Sequence, residues 1–191
     1  MTPAAPIEPA LVRDSTPTRG YATGFNKAPM PKVIRKLDHY APPRNQRLPA
    51  EVYEQAGTAV LFTLRAYAGK PFHENRGLCD CVVGLLTEMR REYGCWVGAY
   101  CLMPDHLHFV AGPSDEGVSV LTFVARFTGK STNASWRHGW SGKLWQKRGH
   151  DHVIRIAERM DEVYDYILAN PVRAGLVEDA ADWAWAGVLD Q

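Results

Sequence analysis

The sequence of 191 residues has no long uninterrupted apolar run, although 46% of its residues are hydrophobic. Because a membrane-spanning helix needs about 20 consecutive apolar residues, we expect a soluble protein. The N-terminus lacks the basic segment followed by an apolar segment that marks a secretory signal, which favours a cytoplasmic location. Cysteine is scarce: the four residues show neither zinc-binding spacing nor the density of a disulfide scaffold, and a reducing compartment fits.

A strong overall charge is also missing, since the formal net charge is +1. The charges are nevertheless unevenly distributed. Residues 126–155 contain seven Lys and Arg residues against one Asp, and residues 1–50 contain eight against three Asp and Glu. A local basic cluster attracts a nucleic-acid backbone, and a solvated basic face explains the same pattern equally well.

Proline separates the chain into two parts. Nine of the 13 prolines lie in residues 1–50, and this segment shows no sustained hydrophobic period. Such a composition buries too little apolar surface to offset the entropy lost on ordering. We therefore predict a flexible basic arm over residues 1–48 and one globular domain over residues 49–191.

Within the predicted domain, seven segments carry a strand-like or helix-like pattern. They are strands at 59–64, 96–103, 106–110 and 152–156 and helices at 78–92, 118–136 and about 158–169. Pro104-Asp105 joins the second and third strands as a short hairpin connection. The order β-α-β-β-α-β-α predicts an α+β fold, in which the first six elements match the ferredoxin-like split βαβ arrangement, an antiparallel sheet with helices on one face.

Two histidines alternate along the third predicted strand. Alternate side chains share one face of a strand, so His106 and His108 project together while Leu107 enters the core. Two imidazoles placed in this way can bind one divalent metal. Two half-exposed histidines with no ligand role are an alternative that this pattern alone leaves open.

A second polar pair lies in the last predicted helix. Tyr166 and Asn170 are four residues apart and share one helix face. The tyrosine is a candidate nucleophile, although a phenol of pKa near 10 needs a polarised target at neutral pH. Tyr164 is a rival nucleophile about 200° round the helix. Alternatively, Tyr166 only packs, and Asn170 only ends the helix before Pro171.

Three strings of sequence resemble one family in order and spacing. They are Leu102-Met-Pro-Asp-His-Leu-His-Phe-Val110, Leu144-Trp-Gln-Lys-Arg148 with Asp151-His-Val-Ile-Arg155, and Tyr166-Ile-Leu-Ala-Asn-Pro-Val-Arg-Ala-Gly-Leu-Val177. Together they resemble the REP-associated tyrosine transposases, relatives of the insertion-sequence transposases that use one tyrosine and an HUH histidine pair. The resemblance runs from about residue 48 to residue 185 and leaves the arm outside.

The resemblance implies a function for these residues. His106, His108 and Asn170 match the family's ligands for Mg²⁺ or Mn²⁺, and Tyr166 matches its nucleophile. The family cuts single-stranded DNA beside an imperfectly paired hairpin, forms a 5′-phosphotyrosine link and releases a 3′-OH. We expect a monomer that is located in the bacterial cytoplasm and is associated with the nucleoid. Related insertion-sequence enzymes, in contrast, are dimers that exchange the tyrosine helix.

The basic stretch then becomes a candidate DNA-binding groove, with Trp136, Trp140 and Trp145 either stacking on unpaired bases or packing in the core. The candidate DNA contacts are Arg126, Lys130, Lys143, Lys147, Arg148, His152 and Arg155. Gly149 departs from the family, which usually has an aromatic residue there. A hairpin-binding protein without chemistry, and a metal-dependent phosphodiesterase that uses water, are the alternative functions.

Overall fold

The computed structural model describes residues 47–155 and 159–190. The predicted basic arm therefore lies outside the described residues, except for its last two positions, and stays a prediction. The described part contains five strands: β1 (Val60–Arg65), β2 (Cys95–Met103), β3 (His106–Pro113), β4 (His150–Val153) and β5 (Ala186–Val188). Its α-helices are α1 (Arg76–Glu92), α2 (Val120–Ser135), α3 (Met160–Leu168) and α4 (Asn170–Arg173).

The five strands form one antiparallel sheet in the order β4-β1-β3-β2-β5. The first four positions of that order are those of the ferredoxin-like fold, so the predicted α+β architecture is confirmed. The predicted hairpin between β2 and β3 is present, because Met103 pairs with His106 across the two intervening residues. Short antiparallel connections of this kind fix the register of both strands.

Helices α1 and α2 cover one face of the sheet, as predicted for the first six elements. Leu107 and Phe109 of β3 point into this layer and are fully buried. Asn75 caps α1 by accepting a hydrogen bond from the Leu78 backbone N–H. The main apolar side chains that the helices contribute are Leu78, Val82, Leu86, Met89, Phe123 and Phe127. This layer is the principal core.

Helix α3 packs on the opposite face, where a smaller apolar cluster forms around Ile167 and contains Ala99, Cys101, Met103 and Val110. The alternation along β3 places His106 and His108 on this same face. The helix that carries the candidate tyrosine therefore lies over the strand that carries the histidine pair.

Two elements were not predicted. The three residues of β5 pair with β2, and an Ala-Gly-Val segment is too short and too small to show a period. Helix α4 begins at Asn170, so Pro171 lies in its first turn. A proline is tolerated there because its missing N–H is not needed. Helix α3 still ends at Leu168, before Pro171 as predicted. The predicted boundaries at residues 156 and 158 lie outside the described residues.

No helix in the described part of the chain is both long and apolar enough to cross a membrane.

Candidate functional site

The two histidines of β3 lie side by side on the face covered by α3. Their ring centroids are 4.6 Å apart and the ring planes meet at 84°. The His106 side chain is half-buried, and His108 lies deeper, between the strand and the helix. The strand alternation predicted from the sequence therefore produces a real pair of adjacent imidazoles.

A second layer of polar groups orients both rings through the same ring atom. The Asp105 carboxylate lies 2.7 Å from Nδ1 of His106, and the Thr63 hydroxyl lies 2.9 Å from Nδ1 of His108. The Asp105 carboxylate can only accept, so Nδ1 of His106 donates and Nε2 keeps its lone pair. If Nδ1 of His108 donates to Thr63 in the same way, its Nε2 is free as well. Metal-binding histidines are typically held in this way by a carboxylate or another oxygen.

The environment of His108 keeps its ring neutral. Burial is the largest cause that lowers the pKa of His108 to about 3, followed by the neighbouring His106, Arg173 and Arg65. Because only the neutral imidazole has a lone pair to donate, His108 is in the ligand form at neutral pH. The described residues contain no group of three or more His, Cys, Asp or Glu side chains that could hold a metal. A metal at the histidine pair therefore needs an oxygen ligand of another kind.

Tyr166 projects from α3 towards this pair. Its ring meets His108 edge-on, with the centroids 6.4 Å apart, and 38% of the residue is exposed. The fold thus brings together two motifs that are 58 residues apart in the sequence. The exposed fraction leaves a substrate room to approach the side chain.

Asn170 lies one helical turn after Tyr166, at the junction of α3 and α4, and it is largely buried. Its amide nitrogen donates to the backbone oxygens of Tyr166 at 3.0 Å and Ile167 at 3.1 Å. Its Oδ1 accepts a hydrogen bond from Arg173 at 3.1 Å. Asn170 is therefore the first residue of α4 and does not end α3, and its oxygen faces Arg173, whose guanidinium lies over the Tyr166 ring.

The rival Tyr164 is placed quite differently. Its hydroxyl packs against the backbone of Gly98 in β2, so closely that a Cβ at Gly98 would overlap it. Burial raises the pKa of Tyr164, with a smaller contribution from Asp190. Tyr164 belongs to the packing of α3 on the sheet, and its hydroxyl points away from the histidine side.

The residues predicted to contact DNA do not form one surface. Arg126 and Lys130 are exposed on α2, across the sheet from the histidines. Lys143 and Lys147 line an open groove of about 330 Å³ between α2 and the following loop. Arg148 is exposed in that loop, whereas His152 in β4 and Arg155 after it lie at the edge next to β1.

The loop that carries these lysines reaches the end of β1. The Gln146 backbone N–H donates to the Arg65 oxygen at 2.9 Å, and the Tyr67 N–H donates to the Leu144 oxygen at 2.8 Å. Arg65 is the register partner of His106. The basic groove and the histidine pair are therefore connected around one end of the sheet.

The three tryptophans of this region divide between core and surface. Trp145 is buried and donates from its indole nitrogen to the Ser131 hydroxyl at 2.8 Å, which confirms the core alternative for it. Trp140 is half-buried with its ring edge on Phe72. Trp136 is 55% exposed, so of the three it offers the most ring surface to a base.

Gly149 stands where the backbone passes close over β1. A Cβ at this position would lie 2.7 Å from the buried Leu64 side chain. The glycine therefore permits a close approach that a larger residue would obstruct.

Four site residues were missed as contributors by the sequence patterns: Thr63, Arg65, Asp105 and Arg173. Asp105 could have been inferred, because it immediately precedes His106. Thr63 and Arg65 depend on the β1–β3 register, and Arg173 depends on the continuation of the chain into α4. No local pattern reveals the register, and the i, i+7 spacing of Arg173 from Tyr166 is informative only once the chain is known to stay helical past Pro171.

Sequence comparison finds curated relatives, although no protein-family model matches the chain. A REP-associated tyrosine transposase of Escherichia coli is 26% identical over 106 residues, which cover 53% of this chain and 59% of that protein. A protein of Haemophilus influenzae, provisionally given the same name, is 26% identical over 98 residues, covering 46% of this chain and 56% of that protein. The chain thus spans less than two thirds of the curated relatives it matches.

Structural comparison finds a solved structure that is described by the same family name. A solved structure described as a REP-associated tyrosine transposase bound to a REP hairpin aligns with a TM-score of 0.57 and 20% identity, covering 70% of this chain and 78% of that one. At this identity the likeness shows a shared fold. Together with the sequence relatives it confirms the resemblance seen in the motifs, and the chain is related to the REP-associated tyrosine transposases.

Proposed function

We propose that the protein is a metal-dependent single-tyrosine endonuclease and strand transferase that acts on single-stranded DNA beside a REP-type hairpin. The observation that carries the proposal is the contact between the Tyr166 ring and His108, beside a second histidine, His106. The relatives' names and the REP hairpin in the structural neighbour support the choice of DNA substrate.

His106 and His108 would hold Mg²⁺ or Mn²⁺ through Nε2, with the Asn170 Oδ1 as the candidate third ligand. A site with two nitrogen ligands favours Mn²⁺ over Mg²⁺ in affinity. When bound, the metal withdraws charge from a non-bridging oxygen of the scissile phosphate. Asp105 and Thr63 keep the two imidazoles in the ligating tautomer and orientation.

In the proposed reaction the Tyr166 oxygen attacks the phosphorus, and the bond from phosphorus to the 3′ oxygen breaks. The phenolic proton leaves to solvent, and the departing 3′ oxygen takes up a proton to become a free 3′-OH. The 5′-phosphate stays on the tyrosine. Because this link conserves a phosphodiester bond, rejoining is the reverse attack by a 3′-OH and needs no nucleotide cofactor.

The groove lined by Lys143 and Lys147 supports the proposal that DNA reaches the site around the end of the sheet. Among the described residues no acidic side chain lines this groove, and its other lining side chains are small or polar apart from the aromatic Trp145. Cationic side chains over a polar floor suit a phosphate backbone, and the exposed Trp136 at the end of α2 offers a stacking surface for an unpaired base.

A monomer is the proposed oligomeric state, and the proposed site can be completed within one chain. Helix α3 packs through Ile167 against the sheet of its own chain and directs Tyr166 to its own histidines. An exchanged tyrosine helix is not needed to complete this site.

Covalent trapping tests the proposal. The protein is incubated with Mn²⁺ and a hairpin oligonucleotide that carries a single-stranded flank labelled on its 5′-phosphorylated fragment, and the mixture is then denatured and separated by size. We expect a labelled adduct with the natural protein and with Tyr164→Phe, and none with Tyr166→Phe. The two variants differ only in which tyrosine loses its hydroxyl, so they are matched controls.

Each other outcome supports a different function. DNA binding without an adduct would indicate a hairpin-binding protein that has lost its chemistry. Cleavage without an adduct, unchanged in Tyr166→Phe, would indicate a phosphodiesterase that uses water. An adduct that disappears in Tyr164→Phe and persists in Tyr166→Phe would show that the nucleophile is misassigned.

A further inference from the structure

Arg173 makes three contacts with the residues of the candidate site. Its Nη1 donates to the Tyr166 backbone oxygen at 3.3 Å, and its Nη2 donates to the Asn170 Oδ1 at 3.1 Å. Its guanidinium carbon lies 4.2 Å from the centroid of the Tyr166 ring. One side chain therefore touches both the candidate nucleophile and the candidate amide ligand.

The spacing of the three residues explains how they meet. Positions 166, 170 and 173 follow the i, i+4, i+7 pattern that places side chains on one helix face. The pattern survives the change from α3 to α4, because α4 continues from Asn170 in helical geometry. Arg173 therefore lies two turns beyond Tyr166 and folds back along the same face.

Arg173 also determines the orientation of the Asn170 amide. The amide nitrogen already faces two carbonyl oxygens, which can only accept hydrogen bonds, and the amide oxygen faces a guanidinium, which can only donate. A flipped amide would lose all three bonds. The oxygen that a metal requires is thus fixed on the side of Arg173 and Tyr166.

The charges around the histidine pair are unbalanced. Arg173 lies over Tyr166, and Arg65 is the register partner of His106. Asp105 contributes one carboxylate beside His106. Two guanidiniums and one carboxylate therefore lie around the pair, and a divalent cation that enters alone adds to a positive excess. A phosphodiester that enters with the cation removes this penalty.

We propose that Arg173 is a positioning residue with two effects at the candidate site. Its planar fork holds Tyr166 and the Asn170 oxygen in the reactive arrangement, and its charge makes metal binding depend on the DNA phosphodiester. The metal and the DNA then bind cooperatively, so that the site is loaded with metal mainly when a strand is present. This inference deepens the proposed function and rests on it for the identity of the metal and of the DNA.

The test measures Mn²⁺ affinity by calorimetric titration, with and without hairpin DNA, in a Tyr166→Phe background that prevents cleavage. We expect DNA to tighten Mn²⁺ binding by about fivefold or more, the usual range of coupling between sites. Arg173→Gln removes the charge and keeps an amide N–H that can donate to the Asn170 oxygen, so it should tighten Mn²⁺ binding in the absence of DNA and reduce the coupling factor. Arg173→Lys keeps the charge and loses the fork, so its DNA-free Mn²⁺ affinity should stay close to that of the natural residue.

Adduct formation in the natural Tyr166 background separates the two effects. Both Arg173 variants should lower the rate at saturating DNA and Mn²⁺, because neither can hold the tyrosine and the amide together. Arg159→Gln is the matched control, since Arg159 is exposed and pairs with Asp161 at the start of α3. The double variant His106→Ala/His108→Ala corrects for Mn²⁺ bound elsewhere on the protein.

Two outcomes overturn the inference. If Arg173→Gln weakens DNA-free Mn²⁺ binding or leaves it unchanged, the charge does not oppose the metal. If Arg173→Gln tightens Mn²⁺ binding and leaves the adduct rate unaffected, the guanidinium of Arg173 does not position Tyr166. A natural protein that shows the predicted Mn²⁺ coupling and still forms no adduct would refute the transferase proposal alone, so the two failures are distinguishable.

Discussion

The two faces of strand β3 share one backbone and differ in the polarity and the burial of their side chains. On one face Leu107 and Phe109 are fully buried beneath α1 and α2. On the other face His106 and His108 are held by hydrogen bonds beside a half-exposed tyrosine. The comparison teaches that one short strand separates stability from chemistry by alternation alone, because its two sets of side chains never share an environment.

The largest expected effect on the fold comes from the apolar face. The Phe109 ring stacks on Phe62 at 5.2 Å and meets Phe123 and Phe127 edge-on. Phe109→Ala should lower the free energy of unfolding by about 3–5 kcal/mol, because it removes buried contacts and leaves a cavity. Urea denaturation measures this loss. Leu48→Ala, at a position 49% exposed, should change the free energy by less than about 0.5 kcal/mol.

The same variant tests the separation between the two faces. The amount of adduct per folded molecule should be unchanged in Phe109→Ala at a temperature where the variant remains folded. A specific loss of adduct formation at full folding would show that the core layer also positions the histidines.

The next largest expected effect on stability comes from an ion pair between α1 and the C-terminal segment. Arg90 is almost completely buried, and its guanidinium donates to both carboxylate oxygens of Asp190 at 2.7 and 3.0 Å. The bond from Arg90 holds the pKa of Asp190 below its usual value. Asp190→Asn should cost about 1–3 kcal/mol at neutral pH, less than a fully buried pair would, because the Asp190 side chain is 37% exposed.

The sign of the pH dependence follows from that depressed pKa. A carboxyl group with a lower pKa in the folded protein binds protons more readily when unfolded, so its stabilisation is present at neutral pH and is lost as the pH falls through the folded pKa. The stability difference between the natural protein and Asp190→Asn should therefore shrink in urea titrations as the pH falls below about 4, the ordinary pKa of an aspartate. A constant difference would show that the charge of Asp190 does not provide the stabilisation.

The same contrast explains how much could be predicted from the sequence. Alternation and helical spacing are local signals, and they predicted strands β1 to β4, helices α1 to α3, and the shared face of His106 and His108. The contact of Tyr166 with His108 joins residues 58 apart, and only the family resemblance anticipated it. Thr63 lay beyond reach because its contact with His108 depends on a strand register, which no local pattern encodes.

Thr63→Val should have the smallest effect on the fold and a selective effect on the site. Valine keeps the shape and suits a strand, so the unfolding free energy should fall by about 1 kcal/mol for the lost partner of His108. The His108 ring loses its fixed orientation, and Mn²⁺ affinity in titrations should drop about 10–100-fold. Thr87→Val removes a hydroxyl that bonds within α1 and should leave Mn²⁺ affinity unchanged. Equal Mn²⁺ affinity in the two variants would mean that Thr63 does not orient a metal ligand.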